Sequence, residues 1–279
     1  MSRQVPVTLP EGYLEFYKNL ETWQNQQQFK LQRLIHSDKT DVIKLLSNSS
    51  KPLLKHMSLI IDPDQFQNLY VELLDYIPSC RPESAQTVAK LKGIVSNIEF
   101  KHLLSRMLDD DYTYLGNLAV GLDVPQELFI FSLEHALRPF LRVYAEPVAE
   151  DIKEDTFQYW DFPDMCPFCG AKSRICRLRS EDGRRFMFCD RCFTEWEVRA
   201  LYCVHCGNDE VGTIRYLSLE NDPAYQIYVC DKCKGYIKTY DERKKAGAVD
   251  LFIANVETVY LDMVAEENGF KNHTEDGES

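Results

Sequence analysis

Over the first 150 positions, apolar residues recur at every third or fourth place. Tyr13, Phe16, Leu20 and Trp23 form one stripe; Gln27 takes its next turn, and Leu31, Leu34 and Ile35 resume it. That period predicts a long helix over 10–35 whose other glutamines face water. Residues 38–60 predict two short helices about a turn at 48–52. Asp62 and Pro63 read as the cap and first position of a helix carrying Phe66, Leu69, Leu73 and Ile77. The two prolines of "PSCRPES" interrupt it. Val88, Leu91, Val95, Ile98 and Leu103 carry a helix over 83–107, and another begins near Asp111. A further helix reaches Pro139, which kinks it or starts the next. The pattern predicts an all-α domain of six or seven helices over 10–150.

The period changes after "DIKEDTFQYWDFPDMC", a polar linker with aromatics. "RRFMFC", "GTIRYLSL" and "AYQIYVC" are runs of β-branched and aromatic residues and predict strands. "AGAVDLFIANVETVYLDMVAEENGF" returns to helix, with Leu251, Val256, Val259 and Met263 as its packing face. The tail "KNHTEDGES" is expected to fray.

The strand-forming stretch also holds nine of the ten cysteines. Eight stand in Cys-x-x-Cys pairs at 166/169, 189/192, 203/206 and 230/233, separated by 19, 10 and 23 residues. Such a turn aims two sulfurs at one point, and a second turn completes a tetrahedron suited to zinc or iron. A gap of about 20 residues leaves room for a two-strand hairpin between paired turns. The natural grouping is Cys166, Cys169, Cys189 and Cys192 around one metal and Cys203, Cys206, Cys230 and Cys233 around another, with an interleaved grouping as the alternative. "CPFCG" and "CVHCG" place Gly170 and Gly207 after the second thiol, where a positive φ turns amides toward sulfur. "CDRC" and "CDKC" lack that glycine, so the four turns are not expected to be identical. Four thiolates fill a tetrahedron, so these metals hold a small domain together rather than turn over a substrate. Iron in this geometry would be rubredoxin-like.

Cys80 and Cys176 are expected as packed thiols, and His205 as a neighbour of a filled site. A thioredoxin-like pair would need a βαβ context that is missing. His102 and His135 are ordinary helix residues, and Asp109, Asp110 and Asp111 a solvated helix boundary. No phosphate-binding loop, dinucleotide fingerprint or nucleophile elbow occurs, and no enzyme is expected.

The 279 residues carry a net charge of −12. Residues 161–245 hold 15 Lys and Arg against 14 Asp and Glu, and the rest of the chain 17 against 30. That balance argues against a nucleic-acid binder. One basic patch stands out in the first ribbon: Lys172, Arg174, Arg177, Arg179, Arg184, Arg185 and Arg191. It could meet nucleic acid, an acidic partner, or the chain's own acidic helices. The N-terminus has no apolar leader core and no stretch is long enough to span a membrane, so a cytoplasmic protein is expected.

The ordered set "CPFCG", "GRRFMFCDRCFTEWEVRALYCVHCGN", "YLSLE" and "CDKCKGYIK" resembles the formate dehydrogenase accessory proteins of the FdhE family. The helical part and the "AVDLFIANVETVYLDMVAEENGF" segment are similar more loosely. The family's C-x-x-C-x-T-E-W falls on Cys189 to Trp196, followed by Arg199, and its C-x-x-C-x-x-Y-x-K on Cys230, Cys233, Tyr236 and Lys238. The resemblance implies a cytoplasmic factor needed for active formate dehydrogenase, one that contacts the molybdenum- or tungsten-containing catalytic subunit before export. It makes Trp196, Arg199, Tyr236 and Lys238 candidate partner contacts beside Arg179, Arg184 and Arg185 of the patch. Read from the residues alone, Trp196 is a core tryptophan bracing the metal turn, and Tyr236 and Lys238 share one strand side and cap the ribbon core. The cysteine extra to the pattern, Cys176, admits a thiol-based redox or sulfur-handling enzyme as another reading.

The resulting expectation is an all-α N-terminal domain followed by two tandem rubredoxin-like or zinc-ribbon β modules and a C-terminal helix. The boundaries are 1–160 for the helices and linker, 161–198 and 199–242 for the ribbons, and 243–279 for the last helix and tail. Two metal ions, zinc or iron, each sit in a four-cysteine site.

Overall fold

The computed structural model describes residues 9–34, 42–47, 51–57, 61–155, 160–219, 222–245 and 249–273. Ile35, the turn residues 48–50, linker residues 156–159 and the tail beyond 273 lie outside them. The chain forms two compact units, one of residues 15–36 and 58–143, the other of 1–14, 37–57 and 144–279. The segment 37–57, helical in pattern, therefore belongs with the cysteine-rich part.

The first unit is helical. Helix α1 (Tyr13–Leu31) buries Phe16, Leu20, Trp23 and Gln27 as its stripe requires. It ends before Leu34, which is exposed. Gln24, expected to face water, is fully buried: its amide donates to the His135 carbonyl at 2.7 Å and to His135 Nδ1 at 3.1 Å. Helix α3 (Pro63–Cys80) begins where Asp62 accepts from the Asp64 N–H at 2.9 Å. It runs through Pro78 instead of stopping there. Only two residues follow that proline, so little helix beyond it is put at risk. The single helix expected over 83–107 is broken into α4 (Ala85–Ile94), a 3₁₀ turn (Val95–Asn97) and α5 (Phe100–Leu108). Ile98 between them is extended, after a run of β-branched and polar residues that favours helix weakly. Asp111 caps α6 (Tyr112–Gly121), and α7 (Gln126–Ala145) continues through Pro139. Phe66, Phe100 and Phe140 meet at the core, Phe66 lying 6.0 Å from each of the others.

The second unit is built on one six-stranded sheet: β1 (Ile175–Leu178), β2 (Arg185–Phe188), β3 (Glu195–Val198), β4 (Ile214–Leu219), β5 (Asp222–Cys230) and β6 (Tyr236–Asp241). Its order is β3-β2-β1-β6-β5-β4. Each ribbon is a three-stranded antiparallel meander, and the two are fused where β1 pairs in parallel with β6, Ile175 opposite Lys238 and Leu178 opposite Asp241. The first strand of one ribbon thus pairs with the third strand of the other, and every residue of β6 is buried.

Helices α2 (Val42–Ser47) and α8 (Ala149–Asp155) also belong to this unit, and α8 packs on β3. The C-terminal helix is two: α9 (Leu251–Glu257) against β1 and α10 (Val259–Glu267) against β5 and β6. The Thr258 hydroxyl donates back to the Ala254 carbonyl at 2.6 Å at the break between them. The break changes the face. Phe252, Tyr260 and Leu261 are buried, whereas Met263 of the expected stripe is exposed.

Candidate metal centres

The four Cys-x-x-Cys turns share one backbone design. The N–H after the second thiol closes on the carbonyl of the first: Gly170 on Cys166 at 2.9 Å, Phe193 on Cys189 at 2.9 Å, Gly207 on Cys203 at 3.0 Å and Lys234 on Cys230 at 2.9 Å. All four closing residues have a positive φ, of 84°, 64°, 72° and 59° in that order. The expectation that the two glycine-free turns would differ is therefore corrected. Phe193 and Lys234 adopt the left-handed conformation at a cost of about 1–2 kcal/mol each. Gly170 has a second reason to be glycine, since a Cβ there would meet Pro52 Cγ at 2.9 Å.

These turns gather the thiols as the spacing predicts. Cys166, Cys169, Cys189 and Cys192 form one cluster and Cys203, Cys206, Cys230 and Cys233 the other, each with all sulfurs within 4.8 Å. Sulfur pairs lie 3.6 Å apart (Cys166–Cys192), 3.5 Å (Cys169–Cys189), 3.6 Å (Cys203–Cys233) and 3.8 Å (Cys206–Cys230). A tetrahedron with metal–sulfur bonds of about 2.3 Å has edges of about 3.8 Å, so both donor sets fit zinc or iron. The gaps are far longer than a disulfide of about 2.05 Å.

Electrostatics explain why a cation belongs there. Burial, and then the other three thiols, push Cys166 well above its usual range. Burial likewise raises Cys203, and raises Cys233 to about 11 against the Gly235 N–H. At Cys230 burial also pushes up, but the amides of Cys233 and Lys232 outweigh it and bring the thiol to about 7. Four thiolates cannot share a site without a cation, and a divalent metal removes that conflict.

The centres differ in access. All four sulfur-bearing residues of the first are buried, whereas in the second Cys206 is exposed and Cys233 half-buried. Side chains outside the pairs support each. The Thr194 hydroxyl lies 3.1 Å from Cys192 Sγ, and the Asn208 amide donates to Cys230 Sγ at 3.6 Å. The first turn is also tied to a remote segment: the amides of Leu53 and Leu54 donate to the carbonyls of Pro167 and Phe168 at 2.9 Å each. Sequence reasoning missed this strap, Thr194 and Asn208. Two of these had a signal: Thr194 is the threonine of C-x-x-C-x-T-E-W, and Asn208 stands directly after a knuckle glycine. His205 is not a ligand: Nε2 donates to the Tyr236 carbonyl at 2.9 Å and Nδ1 faces Asp164 at 3.5 Å.

Three arginines of the basic patch are paired with carboxylates within the unit. Arg177 binds Glu242 at 2.9 Å and also Glu195; Arg184 binds both Asp182 and Glu197 at 2.7 Å; Arg179 binds Asp182. Arg179 first, and Arg184 with it, hold the Asp182 carboxyl well below the usual range. The balancing acids come from β3, the β1–β2 turn and the turn after β6, not from the helical domain. Four of the seven candidate partner contacts are interior. Arg185 donates to the Tyr202 carbonyl at 2.9 Å and lies over the Tyr228 ring. Trp196 is buried and donates to the Pro163 carbonyl at 3.0 Å. Tyr236 and Lys238 share one side of β6, and both donate to Asp262 of α10, at 2.9 and 2.7 Å. These four side chains are spent on the fold, whereas Arg179, Arg184 and Arg199 reach the surface. Cys176 is fully buried, 3.1 Å from the Thr239 hydroxyl and 3.5 Å from Arg185 Nε.

Fold and site together define a protein with a helical unit and a fused double ribbon carrying two four-thiolate metal centres. Residues 201–276, which include the whole second centre, match the family model described as FdhE, C-terminal domain. It is 29% identical over 224 residues to a "Protein FdhE homolog" of Aquifex aeolicus, covering 79% of this chain and 71% of that one. It is 26% identical over 207 residues to the homolog of Proteus mirabilis, covering 72% of this chain and 62% of that one, less than two thirds of its length. The crystal structure of the FdhE protein from Pseudomonas aeruginosa has the same fold, with a TM-score of 0.60 at 18% identity over 95% of this chain and 92% of that one. Among the described residues no helix is long and apolar enough to cross a membrane.

Proposed function

We propose that this protein is a cytoplasmic accessory factor required for the formation of active formate dehydrogenase, and that it acts by binding that enzyme's catalytic subunit. The observation that carries the reading is the family match laid directly over the second metal centre, whose four sulfurs lie within 4.8 Å of one another. Two features agree with it. Each centre is filled by four protein thiolates, which suits a scaffold and leaves no place for a substrate. Three of the arginines that suggested nucleic acid, Arg177, Arg179 and Arg184, are already paired with carboxylates, which reduces the free positive surface that phosphate binding needs.

The test is affinity capture of a tagged copy from cells that are making formate dehydrogenase and lack the untagged protein. The catalytic subunit is expected to co-purify, and enzyme activity to disappear when the gene is deleted. Capture that recovers no dehydrogenase subunit, with activity unchanged by the deletion, would overturn the proposal.

A further inference from the structure

Beside edge strand β3 lies a cavity of about 260 Å³ that no metal-binding cysteine lines. Its walls include Trp160, Trp196, Tyr202, Asp161, Glu197 and Arg199. At about 30 Å³ per water this is roughly eight or nine water volumes, the size of one long side chain rather than of a cofactor. The chemistry of the wall narrows the occupant. Both indole N–H groups are committed to the protein: Trp160 donates to the Met165 carbonyl at 2.8 Å and Trp196 to the Pro163 carbonyl at 3.0 Å. An occupant therefore meets aromatic surface, not indole donors.

The charged groups among the lining residues are two carboxylates and one guanidinium. Asp161 has no hydrogen bond or ion pair among the described residues. Glu197 receives Arg184 on Oε2. Arg199 lies over the Tyr202 ring at 5.2 Å and faces Asp209 at 3.6 Å, so its charge is already shared. Glu197 and Arg199 are thus both paired, and the unpaired charge among the lining residues is the carboxylate of Asp161, which repels an anion. A purely apolar occupant would cover Asp161 without compensating it. A flat cation satisfies both demands, because it stacks on aromatic faces and donates to carboxylates at its edge. Guanidinium does this better than ammonium, being planar, weakly hydrated and able to donate two parallel bonds.

We propose that this cavity receives an arginine side chain presented by a partner protein. The proposal goes beyond the accessory-factor reading and stands independently of it.

The experiment titrates the full-length, metal-loaded protein with a capped Ala-Arg-Ala peptide and follows tryptophan fluorescence. Two of the three tryptophans line the cavity, and Trp23→Phe removes the third from the signal. A saturable change is expected with the arginine peptide and a weaker one with Ala-Lys-Ala. Ala-Gln-Ala and Ala-Glu-Ala should give none. Asp161→Asn should weaken arginine binding about tenfold, the scale of one charge-assisted hydrogen bond, and added salt should weaken it further. Asp161 is exposed and supports no other group, so metal content and circular dichroism should be unchanged. No saturable response to the arginine peptide, equal binding of the glutamine or glutamate peptide, or indifference to Asp161→Asn would each refute the proposal. Because no dehydrogenase is present, the result is separate from that of the capture experiment.

Discussion

Replacing Cys206 with serine tests the difference in access between the two centres. Cys206 is exposed, whereas Cys169 of the first centre has no exposure at all. A structural zinc site is worth about 10–16 kcal/mol of binding, so one thiolate in four carries about 2.5–4 kcal/mol. At the second centre water can reach the vacated position and restore part of that. A net loss of about 1.5–3 kcal/mol remains, or about one to two decades in affinity at roughly 1.4 kcal/mol per decade. At the first centre no water enters, and three buried thiolates lose their fourth partner. Cys169→Ser should therefore cost the whole share and the local fold with it. Cys203→Ser or Cys230→Ser, on the buried side of the second centre, should likewise unfold the second ribbon. The assay is metal release to a chromogenic chelator, with elemental analysis of the protein before and after. The unsubstituted protein should lose its ions in two phases, and Cys206→Ser should accelerate the fast phase alone. Loss of both ions in one phase, or equal acceleration of both phases, would refute the reasoning.

Two further outcomes follow from buried charge. Burial first, then Arg138 and Arg142, hold His135 well below its usual range, and as a neutral ring it accepts from Gln24. Below pH about 6.5 the unfolded chain binds a proton there that the folded chain refuses, so stability falls with pH by up to ~1.4 kcal/mol per unit. His135→Gln should flatten that slope in urea melts of the helical signal between neutral and mildly acidic pH; an unchanged slope contradicts the assignment. Lys238→Met leaves Asp262 without its ammonium partner beneath α10 and should cost about 3–5 kcal/mol. Adding Asp262→Leu should recover part of the loss, and a double variant no more stable than the single one in thermal melts argues against the pair.

Much of this molecule is local and was legible in the chain. Asp62–Pro63 and Asp111 start helices where their side chains can cap free amides, and the stripe from Phe16 to Gln27 is buried because 3.6-residue periodicity puts it on one side. The grouping of the eight cysteines was legible too, since a Cys-x-x-Cys turn and a hairpin of about 20 residues leave little freedom in where the sulfurs go. What the tertiary structure decided is non-local. The parallel pairing of β1 with β6 joins residues more than 60 positions apart and fuses two ribbons into one sheet. The Leu53–Leu54 strap reaches the first knuckle across a longer span, and Asp262 claims Tyr236 and Lys238 from a separate helix. Arg177 and Arg184 of the first ribbon read as positive surface until folding set Glu195, Glu197 and Glu242 beside them. Spacing fixes turn geometry because backbone sterics act over a few residues. Which carboxylate meets which guanidinium depends on strand order and register, and no short stretch of chain encodes either.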